Sequence, residues 1–254
     1  MIKNILQKFF YFFGYEVKRK YNKNQHFNDI LKKKINDAPV ILDIGANRGQ
    51  SIERFSKIFK NPTIHAFEPL SSEFKYLKTT YSNQKNIILN NSAAGDKEEI
   101  KKINVTAKSD TSSFNNITPG TKWLKIRSEQ NKTAQNNYVV NQEAVKIIKL
   151  DSYVSQSHID EIDIVKIDTQ GYEEKVLEGL VETIQKNKIK VIITEIIFDN
   201  NYSKYLSFYQ LEKYLIPNGF RLVGVDFANK DLFSGIGFAV DAMYFNTKKI
   251  DCLK

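Results

Sequence analysis

The chain contains 254 residues, of which 41% are hydrophobic and 12% aromatic, and its formal net charge at pH 7 is +9. This composition excludes a disordered protein, and the length is that of one α/β domain with an extension. A single cysteine, Cys252, excludes an internal disulfide framework and fits a reducing compartment such as the cytoplasm, and the three histidines lack the spacing of metal ligands.

Positive charge is concentrated at the amino-terminal end. Residues 1–34 contain nine basic and two acidic side chains, or 9 − 2 = +7, which leaves +2 for the other 220 residues. Enzymes that act on nucleic acids usually carry basic charge around their catalytic domain. The distribution therefore speaks against a nucleic-acid partner.

Residues 1–13 have the period of an amphipathic helix, and a basic run, VKRKYNK at 17–23, follows. The apolar stripe consists of Ile2, Ile5, Leu6, Phe9, Phe10 and Phe13. Two interpretations stay open. The helix packs on the domain or on a second subunit of a homo-oligomer, or residues 1–24 lie on the cytoplasmic face of a membrane, with the basic run against anionic lipid. The pattern is neither that of a membrane-spanning segment nor that of a cleaved signal peptide.

From residue 39 onward, short apolar segments alternate with amphipathic ones. The predicted strands are residues 39–45, 62–69, 86–93, 144–151, 163–168, 190–197, 220–226 and 241–247, and the predicted helices lie near 49–60, 71–82, 172–187 and 204–216. This alternation indicates an α/β fold with a mostly parallel central sheet and helices on both faces. The last two strands have no helical segment between them and predict an antiparallel hairpin at the sheet edge. We expect a domain at 39–250 behind a basic helical extension at 1–38.

Residues 106–141 interrupt the alternation, because they are rich in Asn, Ser, Thr and Lys and have no apolar period. A structureless loop of this length in a compact domain is usually functional or mobile. It contains the only tryptophan, Trp123. The segment is interpreted either as a polar surface insertion anchored by Trp123 or as a lid over an acceptor site.

The first predicted strand ends in the motif DIGANRG, residues 43–49, and a helix begins behind it. Gly45 and Gly49 permit a tight turn against which a ligand can lie. Amides at the helix start favour a carboxylate, and Asp43 is able to accept from an ammonium group. These requirements are those of an amino-acid zwitterion such as the methionine end of S-adenosylmethionine, and the spacing is not the GxGxxG of a dinucleotide site.

The next two strand ends supply candidates for the rest of that cofactor. Glu68 lies 68 − 49 = 19 residues beyond Gly49, at the tip of the second strand, where an acidic residue holds a ribose diol. The third strand ends in NNSAAGD at 90–96, whose small residues leave room for a flat adenine that Ser92 is able to contact. An ordinary turn is an equally good interpretation of that third segment.

Three acidic residues are candidates for catalysis. Asp168 ends the strand in DIVKIDTQGYE and lies at the sheet edge where ligands bind in such folds. Glu173 follows in the first turn of the next helix. Glu195 interrupts the apolar run VIITEII, where a carboxylate is costly to bury without a partner, so it is either a functional or a satisfied structural acid.

Together, the motifs resemble those of the FkbM family of S-adenosylmethionine-dependent methyltransferases. DIGANRG, AFEP, NNSAAGD, KLDSYV and VKIDTQGYE stand in the family's order, and NGF and DAMYF match two later features, so that the resemblance covers roughly residues 39–247. It implies the class I Rossmann-like methyltransferase fold, S-adenosylmethionine as cofactor, and methylation of a hydroxyl on a sugar or natural product. Ala46, Asn47 and Pro69 stand within the cofactor motifs and join the predicted site.

Methyl transfer to a hydroxyl needs a group that takes the proton. We expect Asp168 to be this base or to orient the acceptor, with Glu173 and Glu195 as further candidates, and a divalent cation held by such carboxylates is compatible with the sequence. A membrane-bound amino terminus would favour a lipid-linked or surface-polysaccharide precursor as the acceptor. The alternatives are an inactive, membrane-associated cofactor-binding protein and, less favoured, a nucleic-acid methyltransferase, for which no N/D-P-P-Y/F motif is present.

Overall fold

The computed structural model describes residues 11–13, 25–198, 200–227 and 239–251. The amphipathic helix predicted at 1–13 therefore lies mostly outside the described residues. The strands are β1 (Val40–Ile44), β2 (Thr63–Phe67), β3 (Ile87–Asn90), β4 (Ala93–Gly95), β5 (Glu99–Thr106), β6 (Val139–Lys149), β7 (Ile162–Ile167), β8 (Ile189–Ile197), β9 (Phe220–Phe227) and β10 (Ala239–Asn246). The helices are α1 (Gln25–Lys34), α2 (Gln50–Ile58), α3 (Ser71–Tyr81), α4 (Lys122–Gln130), α5 (Leu150–Gln156), α6 (Glu173–Glu178), α7 (Val181–Gln185) and α8 (Phe208–Leu215).

Seven strands form the central sheet in the order β3-β2-β1-β7-β8-β10-β9. The pairs among the first five are parallel, whereas β10 lies antiparallel between β8 and β9. Isoleucine and valine dominate the central strands because both faces of a parallel sheet are covered. The predicted α/β fold with a mostly parallel sheet and a carboxyl-terminal antiparallel hairpin is confirmed, and β9 forms the sheet edge.

The two faces of the sheet bury separate cores. One contains Leu42, Val165 and Ile192 beneath α5 to α8. The other contains Ile41 and Ile164 beneath α1, α2 and α3. Helix α1 joins this second core through Phe27 and Leu31, four residues apart on one face of the helix and both fully buried. Among the helices that the structure describes, none has the length and apolar character needed to cross a membrane.

A second sheet of three strands, in the order β4-β6-β5, corrects the strand assignment made from sequence. The strand predicted at 86–93 divides into β3 of the central sheet and β4 of the second sheet. Of the strand predicted at 144–151, residues 144–149 belong to the longer β6, which pairs antiparallel with β5 and parallel with β4, whereas residues 150–151 begin α5. Its partner β5 was missed because its exposed charged residues, such as Lys102, mask the pattern of a half-buried strand.

The polar segment 106–141 is not a structureless loop. It contains α4 and two short 3₁₀ turns, Ser109–Thr111 and Gln135–Asn137. Thr121 caps α4 by accepting from the Leu124 N–H at 3.2 Å. Trp123 is 4% exposed and packs against Tyr138 and Tyr202, with ring centroids 6.0 and 5.6 Å apart. The helix predicted at 172–187 is likewise divided, into α6 and α7.

Candidate active site

A cavity of about 660 Å³ opens at the carboxyl ends of β1, β2, β7 and β8. Its walls come from the loops that follow these strands, the segment 108–112, helix α4 and the start of β10. Parallel strands deliver their carboxyl ends to one edge of a sheet, and this edge is where ligands bind in open α/β folds. The volume of the cavity is in the range of small-molecule sites.

The loop after β1 lies against the end of β7. Gly45 has φ +86°, and a Cβ at this position would lie 2.0 Å from the Asp168 carbonyl oxygen, so only glycine fits here. The N–H groups of Gly45 and Ala46 both donate to the Phe67 carbonyl at 3.0 Å. Because these amides are already used, an incoming carboxylate must find its donors farther along, at the first turn of α2, where Gln50 lines the cavity.

Glu68 connects the loops after β1 and β2. Its Oε2 accepts from the Asn47 N–H and its Oε1 from the Leu70 N–H, each at 2.8 Å. Burial raises the pKa of Glu68 to about 7, although the two N–H donors act in the opposite direction. The side chain is 4% exposed and lines the cavity, and each oxygen keeps a lone pair that these two N–H groups do not use.

Beyond Glu68 the cavity becomes apolar. Leu70, Ala93, Ala94, Ile103 and Phe114 line this part, which β4 and β5 of the second sheet help to build. Ala93 and Ala94, from the segment NNSAAGD, have small side chains here, and the adenine contact expected for this segment stays a prediction.

A charged cluster lies at the carboxyl end of β7. The Lys166 Nζ is 3.1 Å from the Asp168 Oδ2 and 3.9 Å from the Asp43 Oδ1. Burial alone would lower the pKa of Lys166, but the carboxylates of Asp168, Asp43 and Asp241 raise it above its ordinary value. Burial raises the pKa of Asp43 to about 6, against the effect of Lys166. Neither oxygen of Asp43 accepts a hydrogen bond from any described residue.

Gln170 joins the carboxylates that sequence analysis proposed for catalysis. Its Nε2 donates to the Asp168 Oδ1 and to the Glu195 Oε2, both at 2.8 Å, and its Oε1 accepts from the Tyr202 hydroxyl at 3.0 Å. The residue has φ +54°. Glu173 stabilises this turn, because its Oε1 accepts from the Thr169 and Gly171 N–H groups at 2.9 and 3.1 Å.

The cavity brings most of the predicted site residues together. Those that line it are Gly45, Ala46, Asn47, Glu68, Pro69, Asp168 and Glu195. Four lie behind its wall: Asp43, Gly49, Ser92 and Glu173. Asp43 is fully buried, Gly49 is the N-cap residue of α2, and Ser92 is 5% exposed next to the alanines. Their roles in cofactor binding or catalysis stay predictions.

Sequence analysis missed other cavity residues, among them Arg54, Arg127, Lys166 and Gln170. Lys166 carried a usable signal, because a lysine inside a buried strand, two residues from Asp168, shares its face and needs a partner. Arg54, Arg127 and Gln170 carried no such signal in the sequence. Across the ranges that the structure describes, no group of three or more His, Cys, Asp or Glu side chains is arranged to hold a metal ion.

Comparisons with known proteins agree with the position of this cavity in the fold. The model of the methyltransferase FkbM domain matches residues 43–222. The fold is similar to methyltransferase FkbM from Methylobacillus flagellatus KT, with a TM-score of 0.54 and 14% identity over 83% of this chain, which spans only 44% of that one. It is also similar to a putative rRNA-methylase from Clostridium thermocellum, with a TM-score of 0.50 and 9% identity over 90% of this chain and 97% of the other.

A fibrillarin from Aeropyrum pernix with natively bound S-adenosyl-L-methionine has a TM-score of 0.45 and 11% identity, over 86% of this chain and 74% of the fibrillarin. No curated protein matches the chain. The sheet order and the likeness to FkbM confirm the class I Rossmann-like methyltransferase fold.

Proposed function

Since the chain belongs to the FkbM family of S-adenosylmethionine-dependent methyltransferases, we propose that its methyl acceptor is a hydroxyl of a sugar, a glycan precursor or a related small molecule. The observation that carries this proposal is the Asp168 carboxylate, which is 33% exposed in the cavity, next to the loop after β1. A hydroxyl loses its proton as it is methylated, and a carboxylate in this place is able to accept it.

The residues of the cavity fit S-adenosylmethionine. Glu68 offers carboxylate lone pairs to a ribose diol, and Ala93 and Ala94 border a space for the adenine. Gly45 lets the loop after β1 pack against the Asp168 carbonyl, and this loop lines the part of the cavity where the methionine end would lie. Asp43, without a hydrogen bond from a described residue, places negative charge behind this end. When bound, the cofactor supplies an electrophilic methyl group on a sulfonium.

The protein's part in the reaction is alignment and proton transfer. Lys166 and Gln170 fix both oxygens of Asp168, at 3.1 and 2.8 Å, so the carboxylate has one orientation toward the acceptor hydroxyl. As the hydroxyl oxygen forms its new bond, its proton passes to this carboxylate. Holding the two reacting groups in line converts a bimolecular step into an effectively unimolecular one.

The competing acceptor is RNA, because one similar fold is that of a putative rRNA-methylase. That likeness concerns the fold. The small net charge of +2 beyond residue 34 supports a small acceptor, since RNA-binding surfaces of catalytic domains are usually basic.

The test is transfer of labelled methyl from S-adenosylmethionine to a panel of monosaccharides, glycosyl phosphates and sugar nucleotides, with total RNA as the rival acceptor. We expect label in at least one sugar and none in RNA. Label that enters RNA alone would overturn the proposal, and S-adenosylhomocysteine titrated in parallel checks that the cofactor site is intact.

Replacing Glu68 by glutamine should weaken S-adenosylhomocysteine binding about 10- to 100-fold, because the ribose hydroxyls lose a charged acceptor. The wild-type affinity should also fall as pH drops through about 7, since a pKa near 7 means that the acceptor carboxylate becomes protonated there. Calorimetric titration between pH 5.5 and 8.5 measures both effects. Exposed Glu98 provides the control substitution Glu98→Gln.

The stability of the ligand-free protein should show the opposite dependence. The folded pKa of Glu68, about 7, lies above its ordinary value of 4.5, so the folded state binds more protons between these limits. Its contribution to stability is present at low pH and is lost as pH rises through this window. Glu68→Gln should remove that slope, and an unchanged slope would contradict the assignment of the shift to Glu68.

Residues 1–24 are proposed to contact a membrane surface. Of this segment the structure describes residues 11–13, where Tyr11 and Phe12 are 77% and 83% exposed, and exposed aromatic side chains beside basic ones are typical of interfacial helices. The full chain should co-sediment with anionic liposomes more than a chain that lacks residues 1–24. Equal pelleting of the two would remove the proposal.

A further inference from the structure

Arg127 lines the cavity from helix α4 with unused hydrogen-bonding capacity. Its Nε is buried and has no hydrogen-bond partner, and its NH1 makes one marginal contact, 3.5 Å from the Gln130 Oε1. No carboxylate among the described residues forms an ion pair with this guanidinium. A half-buried arginine in this state is suited to an external acceptor, and carboxylate and phosphate groups match its planar donors best.

Two other residues that line the same cavity carry buried acceptor atoms without partners. Asn201 is 3% exposed, and its Oδ1 is buried without a hydrogen-bond partner. The Asp110 Oδ1 is likewise buried without one, while its Oδ2 pairs with the Lys108 Nζ at 2.7 Å. These oxygens require donors, which sugar hydroxyls supply. A ligand with one anionic group and several hydroxyls would satisfy both kinds of atom.

An aromatic wall connects this end of the cavity to the catalytic carboxylate. Trp123 and Arg127 are one helical turn apart on α4 and therefore share a face. Trp123 packs on Tyr202, which follows Asn201 directly, and the Tyr202 hydroxyl donates both to the Thr111 carbonyl and to the Gln170 Oε1 at 3.0 Å. Gln170 in turn donates to Asp168, so hydrogen bonds connect this wall to the proposed reaction centre within one cavity.

We propose that Arg127, Asn201 and Asp110 form an acceptor subsite that selects a sugar bearing a carboxylate or phosphate group. The inference rests on the proposed function, because it names the substrate class of that same cavity. The anion binds to Arg127, the sugar hydroxyls donate to Asn201 and Asp110, and this placement orients one hydroxyl toward Asp168.

The test compares three probes on the full chain loaded with S-adenosylhomocysteine: glucose, glucose 1-phosphate and glucuronic acid. Calorimetry or ligand-observed NMR should give the phosphate or the carboxylate at least about tenfold tighter binding than glucose, a difference of about 1.4 kcal/mol, and the tighter of the two identifies the anion. Arg127→Gln should abolish this preference while leaving S-adenosylhomocysteine affinity unchanged. Lys125→Gln, an exposed change on the same helix, should behave as the wild type.

The outcomes separate the two proposals. Equal affinity for all three probes, or an anion preference that survives Arg127→Gln, would overturn the subsite even if sugars are methylated. Failure of S-adenosylhomocysteine to bind would count against the proposed function, whereas a preference for anions that depends on Arg127 would still support the subsite.

Discussion

Replacing Asp168 by asparagine should lower turnover by about 10² to 10⁴-fold, the usual contribution of a general base. Asparagine has nearly the same shape, and its amide oxygen still accepts from Gln170, but it takes no proton from the acceptor. The Lys166 ammonium loses its 3.1 Å partner and keeps the Asp43 carboxylate at 3.9 Å. The measurement is methyl transfer at saturating cofactor, alongside S-adenosylhomocysteine affinity, which should change little.

The matched control is Asp160→Asn, which removes the same charge from an exposed position before β7. It should keep wild-type turnover. Glu195→Gln is the informative companion, because Glu195 shares the Gln170 amide with Asp168. Turnover retained in Asp168→Asn but lost in Glu195→Gln would move the base to Glu195.

Motifs at the ends of single strands were the predictable part of the site. Gly45 and Glu68 can each be identified from a few neighbouring residues. A tight turn after a strand needs glycine, and an acidic residue at the tip of the next strand is typical of a ribose-binding position. The structure places both on the cavity and joins them through the Asn47 N–H. Local chemistry was sufficient to place them.

Residues contributed by irregular or distant segments were not predictable in the same way. Arg127 lies 41 residues before Asp168 along the chain, 168 − 127 = 41, in a helix with no strong apolar period. Gln170 adopts a left-handed conformation that glutamine rarely takes. Its two bonds to carboxylates depend on where β8 lies beside β7, which is a property of the assembled sheet.

The second sheet was not predicted from sequence, for a related reason. Strands β5 and β6 carry exposed charged and polar residues on one side, such as Lys102 and Gln142, so their apolar residues form no continuous run. Once paired, they shelter Ile103 and Val145 beside Leu70 at the apolar part of the cavity. Pairing across more than 30 residues of chain supplies a wall that neither strand indicates alone.

Replacing Gly45 by alanine should remove both cofactor binding and activity. The position combines φ +86° with a backbone oxygen, that of Asp168, 2.0 Å from the new Cβ. The left-handed conformation costs an alanine about 1–2 kcal/mol, and overpacking adds about 1–3 kcal/mol. Because the clashing atom belongs to backbone, relief requires the loop after β1 to separate from the end of β7, and a displacement of about 1 Å in an active site costs about 10²-fold in rate.

Gly120→Ala is the matched control for this change. Gly120 also has a positive φ, +75°, but no atom lies within 4 Å of the Cβ it would gain. It should therefore lose only the conformational term of about 1–2 kcal/mol in the free energy of unfolding and retain S-adenosylhomocysteine binding and turnover. Denaturant unfolding and calorimetric titration of the two variants separate backbone strain from displacement of Asp168. Equal losses in both would mean that contact between the Gly45 loop and the end of β7 does not position the Asp168 carboxylate.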